Sequence, residues 1–511
     1  MSAIPLLHDH LWAAAATTPD KIALVCGDHR VSYRDLATRA TAFAATLVEL
    51  GVTRGDRVVV FGDNTVETVI AFWGTLAANA VVSIVNPLTK TDKLAYLLND
   101  CRARVLVSDA HLQRVFAPAL AQTPHVAAVI ASGEVGELPI RHVRWRDAIA
   151  ATGGLPRRAC IDIDLASIIY TSGSTGEPKG VMLTHRNMLT ACASISEYLR
   201  IASDEVILGV LPLAFDYGLY QMIMAFAAGA RLVLERSFAF PPQVLKKVVD
   251  EKVTGFPGVP TIFAVLAGMT TLGQYDFSAL RYVTNTAAAL PVKHITMLRT
   301  LFPAARIYSM YGLTECKRCT YLPPEDIDRK PESVGIAIPN TELWLVDEQD
   351  QRLGPNQVGQ LVIRGATVMK GYWEKPEATA KKLRPGPLPG EQVLYTGDLC
   401  RLDDEGYLYF VGRMDDIIKS RGEKVAPKEV EAAIVNIAGV REAAVIGIPD
   451  ELLGQAVKAF VVLDPGVTLD AKAIQHGCQA TLENFMVPKV IEIVSELPRT
   501  TTGKIKKTGL S

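Results

Sequence analysis

Tyr170-Thr-Ser-Gly-Ser-Thr-Gly-Glu-Pro-Lys-Gly-Val181 places three glycines, four Ser/Thr hydroxyls and one lysine directly behind the apolar run Leu165-Ala-Ser-Ile-Ile-Tyr170. Glycine accepts positive φ and close backbone approach, so Gly173, Gly176 and Gly180 allow successive N–H groups to converge on an anion. Thr171, Ser172, Ser174 and Thr175 add donors and Lys179 adds a positive charge, which together make a phosphate cradle. The spacing differs from a Walker loop, in which lysine directly follows the last glycine, because Glu177 and Pro178 intervene here. Val181-Met-Leu-Thr184 reads as a second strand, so the loop is expected to join two strands as a flap over a triphosphate.

Outward from that loop, β-branched apolar runs alternate with helical patterns. Arg57-Val-Val-Val-Phe61, Ala80 to Val85 and Arg104 to Ser108 read as strands; Tyr33 to Leu50 and Lys90 to Asn99 read as helices. Such alternation predicts an α/β protein with layered, largely parallel sheets. Around Gly359 to Arg364 and Asp404 to Phe410 the texture changes to short strands with tight turns, a small β-barrel-like unit completing the large lobe. After Gly412-Arg-Met-Asp-Asp416 the pattern restarts, with helices at 427–436 and 470–482 and strands at 444–448, 459–463 and 489–494. This predicts a large N-terminal domain over 1–414 and a small mobile α+β domain over 415–511.

A chain of 511 residues exceeds one ordinary core. Its 53 basic and 54 acidic side chains balance, which argues against a nucleic-acid partner, and 49% hydrophobic residues argue against disorder. The N-terminus lacks a basic stretch before its apolar residues, so no secretory signal is expected. Thr68 to Val85 reads as a buried helix followed by a buried strand, not a membrane span. Eight scattered cysteines suit reduced thiols in a cytoplasm, and the Cys316/Cys319 pair lacks the second half of a zinc site.

Four further stretches accompany the loop in order: Tyr311-Gly-Leu-Thr-Glu315, Tyr395-Thr-Gly-Asp398, Gly412 to Lys424, and Pro498-Arg-Thr-Thr-Thr-Gly-Lys504. Together they resemble the adenylate-forming superfamily of acyl-CoA synthetases, amino-acid adenylation domains and luciferases, over essentially the whole chain. The resemblance implies ATP as co-substrate, with the cradle residues 171–176 and Lys179 on its phosphates. It implies that Tyr311 stacks on adenine, that Gly312, Ala287 and Ala288 help bind the nucleotide, with Ala287 and Ala288 also candidates for the acyl pocket, that Thr314 touches the α-phosphate, and that Glu315 holds magnesium, a hard cation suited to carboxylate oxygen. It further implies Asp398 and Arg413 on the ribose, Asp415 as the hinge, Gly422 lining a thiol tunnel, Lys424 near phosphate in the second step, and Lys504 as the catalytic cation. An ammonium aimed at charge developing around the α-phosphorus lowers the barrier to adenylation. The implied activity has two steps: carboxylate plus ATP gives acyl-AMP and pyrophosphate, then a pantetheine thiol takes the acyl group.

For the acid, the resemblance points to Phe215, Asp216, Tyr217, Gly258, Asn285 and Thr286, with Phe256 and Val259 as further lining. Phe215-Asp216-Tyr217 resembles amino-acid adenylation domains, in which the aspartate receives a substrate ammonium. A desolvated carboxylate needs such a partner. Together with Thr314-Glu-Cys-Lys-Arg318 it is similar to free-standing L-prolyl-carrier-protein ligases and to stand-alone acyl ligases of bacterial exopolysaccharide loci. The leading expectation is therefore L-prolyl-AMP loaded onto a discrete carrier protein bearing phosphopantetheine. The alternative is an acyl- or aryl-acid ligase using CoA; a non-catalytic nucleotide-binding scaffold is the expectation from another class. The chain ends soon after Lys504, at Ser511, so the thiol is expected on a separate molecule.

Overall fold

The structure is a computed structural model and describes residues 5–171, 177–286, 290–420, 423–450, 453–500, 505–507 and 509–510. It divides into two compact units, 1–332 with 337–342 and 364–394, and 333–336 with 343–363 and 395–511. Their edges do not coincide with the 414/415 boundary expected from the sequence, because 343–363 and 395–414 group with the C-terminal residues.

The first unit holds two sheets. In one, neighbouring strands run in the order Gly371–Tyr372, Lys179–Thr184, Leu165–Thr171, Val81–Val85, Arg57–Phe61, Ala103–Asp109, Ala128–Ser132 and Arg141–Arg144. From Val81–Val85 to Arg141–Arg144 the pairs are parallel. Parallel strands are covered on both faces, which is why Val58-Val59-Val60-Phe61 is an uninterrupted buried run. The Val66–Ala77 helix is buried along its whole length and packs on the Tyr33–Glu49 helix through Gly74, where a Cβ would meet the Ala40 carbonyl at 2.7 Å. Thus the apolar stretch at 68–85 is a core helix and strand, and no described helix is long and apolar enough to cross a membrane.

The other sheet of this unit runs through Thr320–Tyr321, Arg306–Tyr311, Tyr282–Asn285, Gly255–Gly258, Val206–Gly209, Arg231–Leu234 and Ile22–Cys26 to His29–Ser32. Its central pairs are parallel, so the C-terminal ends of Gly255–Gly258, Tyr282–Asn285 and Arg306–Tyr311 share one edge. Open α/β sheets bind ligands at that edge.

In the second unit, Gly454–Leu463 pairs antiparallel with Val440–Asp450 and parallel with Val490–Ile493. Helices Pro427–Val435 and Ala471–Gln479 contribute Val430, Ile434, Ile474 and Cys478 to a core with Val445, Val457 and Val461. The expected helices and strands of the C-terminal region are all present, with ends shifted by a few residues.

Two buried histidines tie the start of the first unit to the beginning of the His185–Leu199 helix. His185 accepts the Leu7 N–H through Nδ1 at 3.1 Å and lies edge-on to His8. Burial lowers His8 from 6.5 to about 4, helped by Arg158, and lowers His185 to about 3, helped by His8. Both folded values lie below the unfolded one, so this contribution to stability is complete above pH 6.5 and is lost as pH falls toward 4 and then 3. The expected outcome is a melting temperature that falls more steeply with acidification below pH 6.5 in the wild type than in His8→Gln/His185→Gln. Parallel curves would show that neither histidine is the group that titrates.

Candidate active site

Leu165–Thr171 and Lys179–Thr184 form the expected antiparallel hairpin, with Thr171 opposite Lys179 and Tyr170 opposite Gly180. Ser172, Gly173, Ser174, Thr175 and Gly176 lie outside the described residues; the hairpin fixes where their segment starts and stops. Strand Gly371–Tyr372 adds to the hairpin, Tyr372 pairing with Val181. This brings the Tyr372 ring to 5.6 Å from the Lys179 ammonium, and its hydroxyl donates to Glu315 Oε1 at 2.6 Å. Lys179 and Glu315, far apart in sequence, are therefore linked through one phenol. Tyr372 is a site residue that sequence reasoning missed; the signal was Gly371-Tyr-Trp373, a compact aromatic pair in the β-rich texture.

Glu315 is half-buried, and the Met369 N–H donates to its carbonyl at 2.7 Å. Among the described residues its carboxylate makes no other hydrogen bond or ion pair than that from Tyr372, so acceptor capacity remains for a hard cation. That donor chemistry fits magnesium, which when bound would neutralise phosphate charge.

Glu315 sits in a tight turn. Cys319 N–H donates to the Tyr311 carbonyl at 2.9 Å and Lys317 N–H to the Leu313 carbonyl at 2.6 Å. A Cβ on Gly312 would collide with the Lys317 carbonyl, so only glycine lets the turn close. Tyr311 and Thr314 are half-buried at its opening. Cys316 and Cys319, both fully buried free thiols, lie with Sγ atoms 3.1 Å apart inside it.

Lys317 adopts a left-handed backbone (φ 70°), which breaks the alternation of an extended chain. Its side chain and that of Arg318 both meet the Asp216–Ala227 helix. Lys317 Nζ lies 3.2 Å from the Asp216 carboxylate, donates to the Asp216 carbonyl at 2.8 Å and sits 3.6 Å over the Tyr220 ring. Lys317 is 2% exposed, and burial lowers its ammonium to about 7 although Asp216 pulls the other way. Arg318 lies over the Tyr217 ring at 4.4 Å. The partner expected for Asp216 was a substrate ammonium; in the structure the chain's own lysine occupies that role.

Of the other acid-side candidates, Tyr217 is fully buried with its hydroxyl 3.0 Å from the Thr284 carbonyl, at the shared edge of the parallel strands. Asn285 and Thr286 are buried beside it in sequence, and Phe215 is half-buried, edge-on to Tyr217 at 6.3 Å. Gly258 leaves no open space: a Cβ there would strike the Phe263 ring. Phe256 is a core residue among Phe238, Phe263 and Phe302. Val259 is buried, whereas Ala287 and Ala288 lie outside the described residues.

In the second unit, cross-strand pairing sets Asp398 opposite Arg413, with Arg413 Nε 3.3 Å from Asp398 Oδ1 and Asp398 3% exposed. A buried carboxylate with a cation beside it can accept from vicinal hydroxyls. Asp415 is exposed in the short turn Met414–Asp416 directly after Arg413. Lys424 lies on Glu423–Val425, with its side chain outside the description, as are Gly422 and Lys504. Arg499 pairs with Glu442 and Lys507 with Glu431, each at 2.6 Å.

Comparison with known proteins follows the same lines. The family model described as "AMP-binding enzyme" matches residues 11–373, and "AMP-binding enzyme C-terminal domain" matches 429–504. A long-chain-fatty-acid–CoA ligase of Bacillus subtilis is 32% identical, over 98% of this chain and 93% of the relative. The anthranilate CoA ligase AuaEII, solved with anthranoyl-AMP, superposes with a TM-score of 0.89 at 28% identity, over 98% of this chain and 95% of that one. ATP-bound MatB of Rhodopseudomonas palustris gives 0.87 at 29%, over 98% and 97%.

Lys317→Met should cost about 3–5 kcal/mol of stability, because it strands the buried Asp216 carboxylate. Adding Asp216→Asn should restore much of that loss; equal destabilisation of single and double variants in urea titrations would show that the pair is not coupled. Tyr372→Phe, which frees Glu315, should raise KM for magnesium-ATP about 10-fold with little change in melting temperature, the size of one charge-assisted hydrogen bond. An unchanged KM would separate Tyr372 from the metal carboxylate.

Proposed function

The chain belongs to the AMP-binding enzyme family and is an AMP-forming acid–thiol ligase, and from that premise we propose that the acid it activates is an acyl or aryl carboxylic acid and that the accepting thiol is coenzyme A. One observation carries the choice of acid. The Asp216 carboxylate, which an amino-acid substrate would need for its ammonium, already has the Lys317 ammonium at 3.2 Å and is buried with it. A substrate ammonium would have to break a desolvated pair, at a cost of several kcal/mol. The relatives support the same choice, being named as CoA ligases of fatty and other organic acids. The L-prolyl and carrier-protein expectation has neither support.

In this proposal the substrate carboxylate attacks the α-phosphorus of ATP. An oxygen–phosphorus bond forms, the bond to pyrophosphate breaks, and an acyl-AMP results. The CoA thiol then loses its proton and attacks the acyl carbon, and AMP leaves. Lys179 and the 171–176 loop hold phosphates, Thr314 the α-phosphate, and Glu315, oriented by Tyr372, the magnesium. Tyr311 stacks on adenine, and Gly312, Ala287 and Ala288 are further nucleotide-binding residues. Asp398 and Arg413 hold the ribose. Lys504 meets the charge that develops in the first step, and Asp415 is the pivot that withdraws it. Gly422 then leaves a passage for the thiol, and Lys424 contacts phosphate.

Substrate-dependent ATP–pyrophosphate exchange, followed by thioester formation with CoA, tests this directly. Organic acids should support both steps, and L-proline neither. Exchange with L-proline alone, or acyl transfer to carrier-bound pantetheine in preference to CoA, would return the amino-acid ligase.

A further inference from the structure

Around the first turn of the Asp216–Ala227 helix the buried charges do not balance. Lys317, Arg318 and Asp216 are 2%, 3% and 6% exposed, two basic side chains against one carboxylate among the described residues. Lys317 takes that carboxylate and the carbonyl of the same residue. Arg318 takes neither: its Nε is buried without a hydrogen-bond partner among the described residues. The face of the Tyr217 ring lies 4.4 Å from it. A guanidinium carries five N–H donors and no acceptor, and it does not lose its charge in a protein. Buried polar groups are almost always paired, and a buried charge left unpaired is costly.

The place of this cation matters as much as its unbonded Nε. Tyr217 bonds Thr284 at the C-terminal end of Tyr282–Asn285, the edge where parallel sheets receive ligands. Along the chain, Arg318 follows Thr314 and Glu315 within the same closed turn. A planar fork of donors at such a place matches a planar oxyanion, which it can bind through two parallel hydrogen bonds.

We propose that Arg318 is the binding site for a second carboxylate on the acid substrate, so that the ligase acts on dicarboxylic acids, activating one carboxylate while Arg318 holds the other. This rests on the acyl-acid reading of the site and deepens it. A plain fatty acid would leave the guanidinium facing methylene groups, whereas a diacid neutralises it. Sites built around a buried polar group reject analogues that lack the complementary group, by far more than one methylene is worth.

The test uses the full-length enzyme and matched pairs: butanoate with succinate, hexanoate with adipate, octanoate with suberate, and benzoate with terephthalate. For at least one pair the wild type should show kcat/KM for ATP–pyrophosphate exchange at least about 100-fold higher with the diacid. In Arg318→Met that diacid-to-monoacid ratio should fall by a similar factor, and in Arg318→Lys, which keeps the charge without the fork, by less. The second readout needs no turnover: at fixed ionic strength the preferred diacid should raise the melting temperature of the wild type and not of Arg318→Met. A wild type that prefers every monoacid, or a ratio untouched by Arg318→Met, overturns the assignment, and the wild-type comparison stands even if the variant fails to fold. Stabilisation produced equally by chloride or phosphate means an inorganic counter-ion and overturns it as well. Exchange with no acid at all, alongside Arg318-dependent diacid stabilisation, would sink the ligase reading while upholding the anion site.

Discussion

The Lys317 carbonyl closes against Gly312 where no side chain fits, and the turn made by that contact organises both halves of the candidate site. One limb sends Glu315 to the Tyr372 hydroxyl and thereby to the hairpin that bears Lys179. The other limb, through the left-handed backbone at Lys317, sends two cations to the Asp216–Ala227 helix. A turn this short leaves no slack, so the groups proposed for the metal and for the acid cannot move independently. The proximity that adenylation requires is thus built into backbone geometry before any substrate arrives.

Charge burial is the second theme. Lys317 and Asp216 lose their hydration together and recover part of it from each other, from a backbone carbonyl and from the Tyr220 ring. A pair of this kind is weak evidence for stability, yet in the proposed function it bears on specificity, because it occupies the carboxylate that would otherwise receive a substrate ammonium. In the second unit the Asp398–Arg413 pair works differently. It is set by cross-strand register and places a buried carboxylate beside an exposed cation.

Much of the fold was legible because it rests on short-range patterns. The apolar runs on either side of the glycine- and hydroxyl-rich stretch read as two strands, and they pair as a hairpin with Thr171 opposite Lys179. The uninterrupted valines at 58–60 could only be a strand covered on both faces. The unit edges were not legible, because they depend on which residues pack together and not on where a pattern restarts. Tyr372 escaped for a related reason: its role comes from a hydroxyl reaching Glu315 across a sheet, and neither residue's neighbours in sequence betray it.

The amino-acid sequence by itself determined the chemistry class and the inventory of charged and hydroxyl groups, since the phosphate loop, the Tyr-Gly-Leu-Thr-Glu turn and the Asp398 stretch each carry their residue types in fixed local order. Only the tertiary structure decided which charges face which. Asp216 had called for a cation, and nothing local to it could say whether that cation belongs to a substrate or to the chain. The answer lay in Lys317, 101 residues downstream, brought within 3.2 Å by the turn at Gly312. The same fold left the Arg318 Nε buried without a hydrogen-bond partner among the described residues, because electrostatic pairing is a property of distance in space, which sequence separation does not encode.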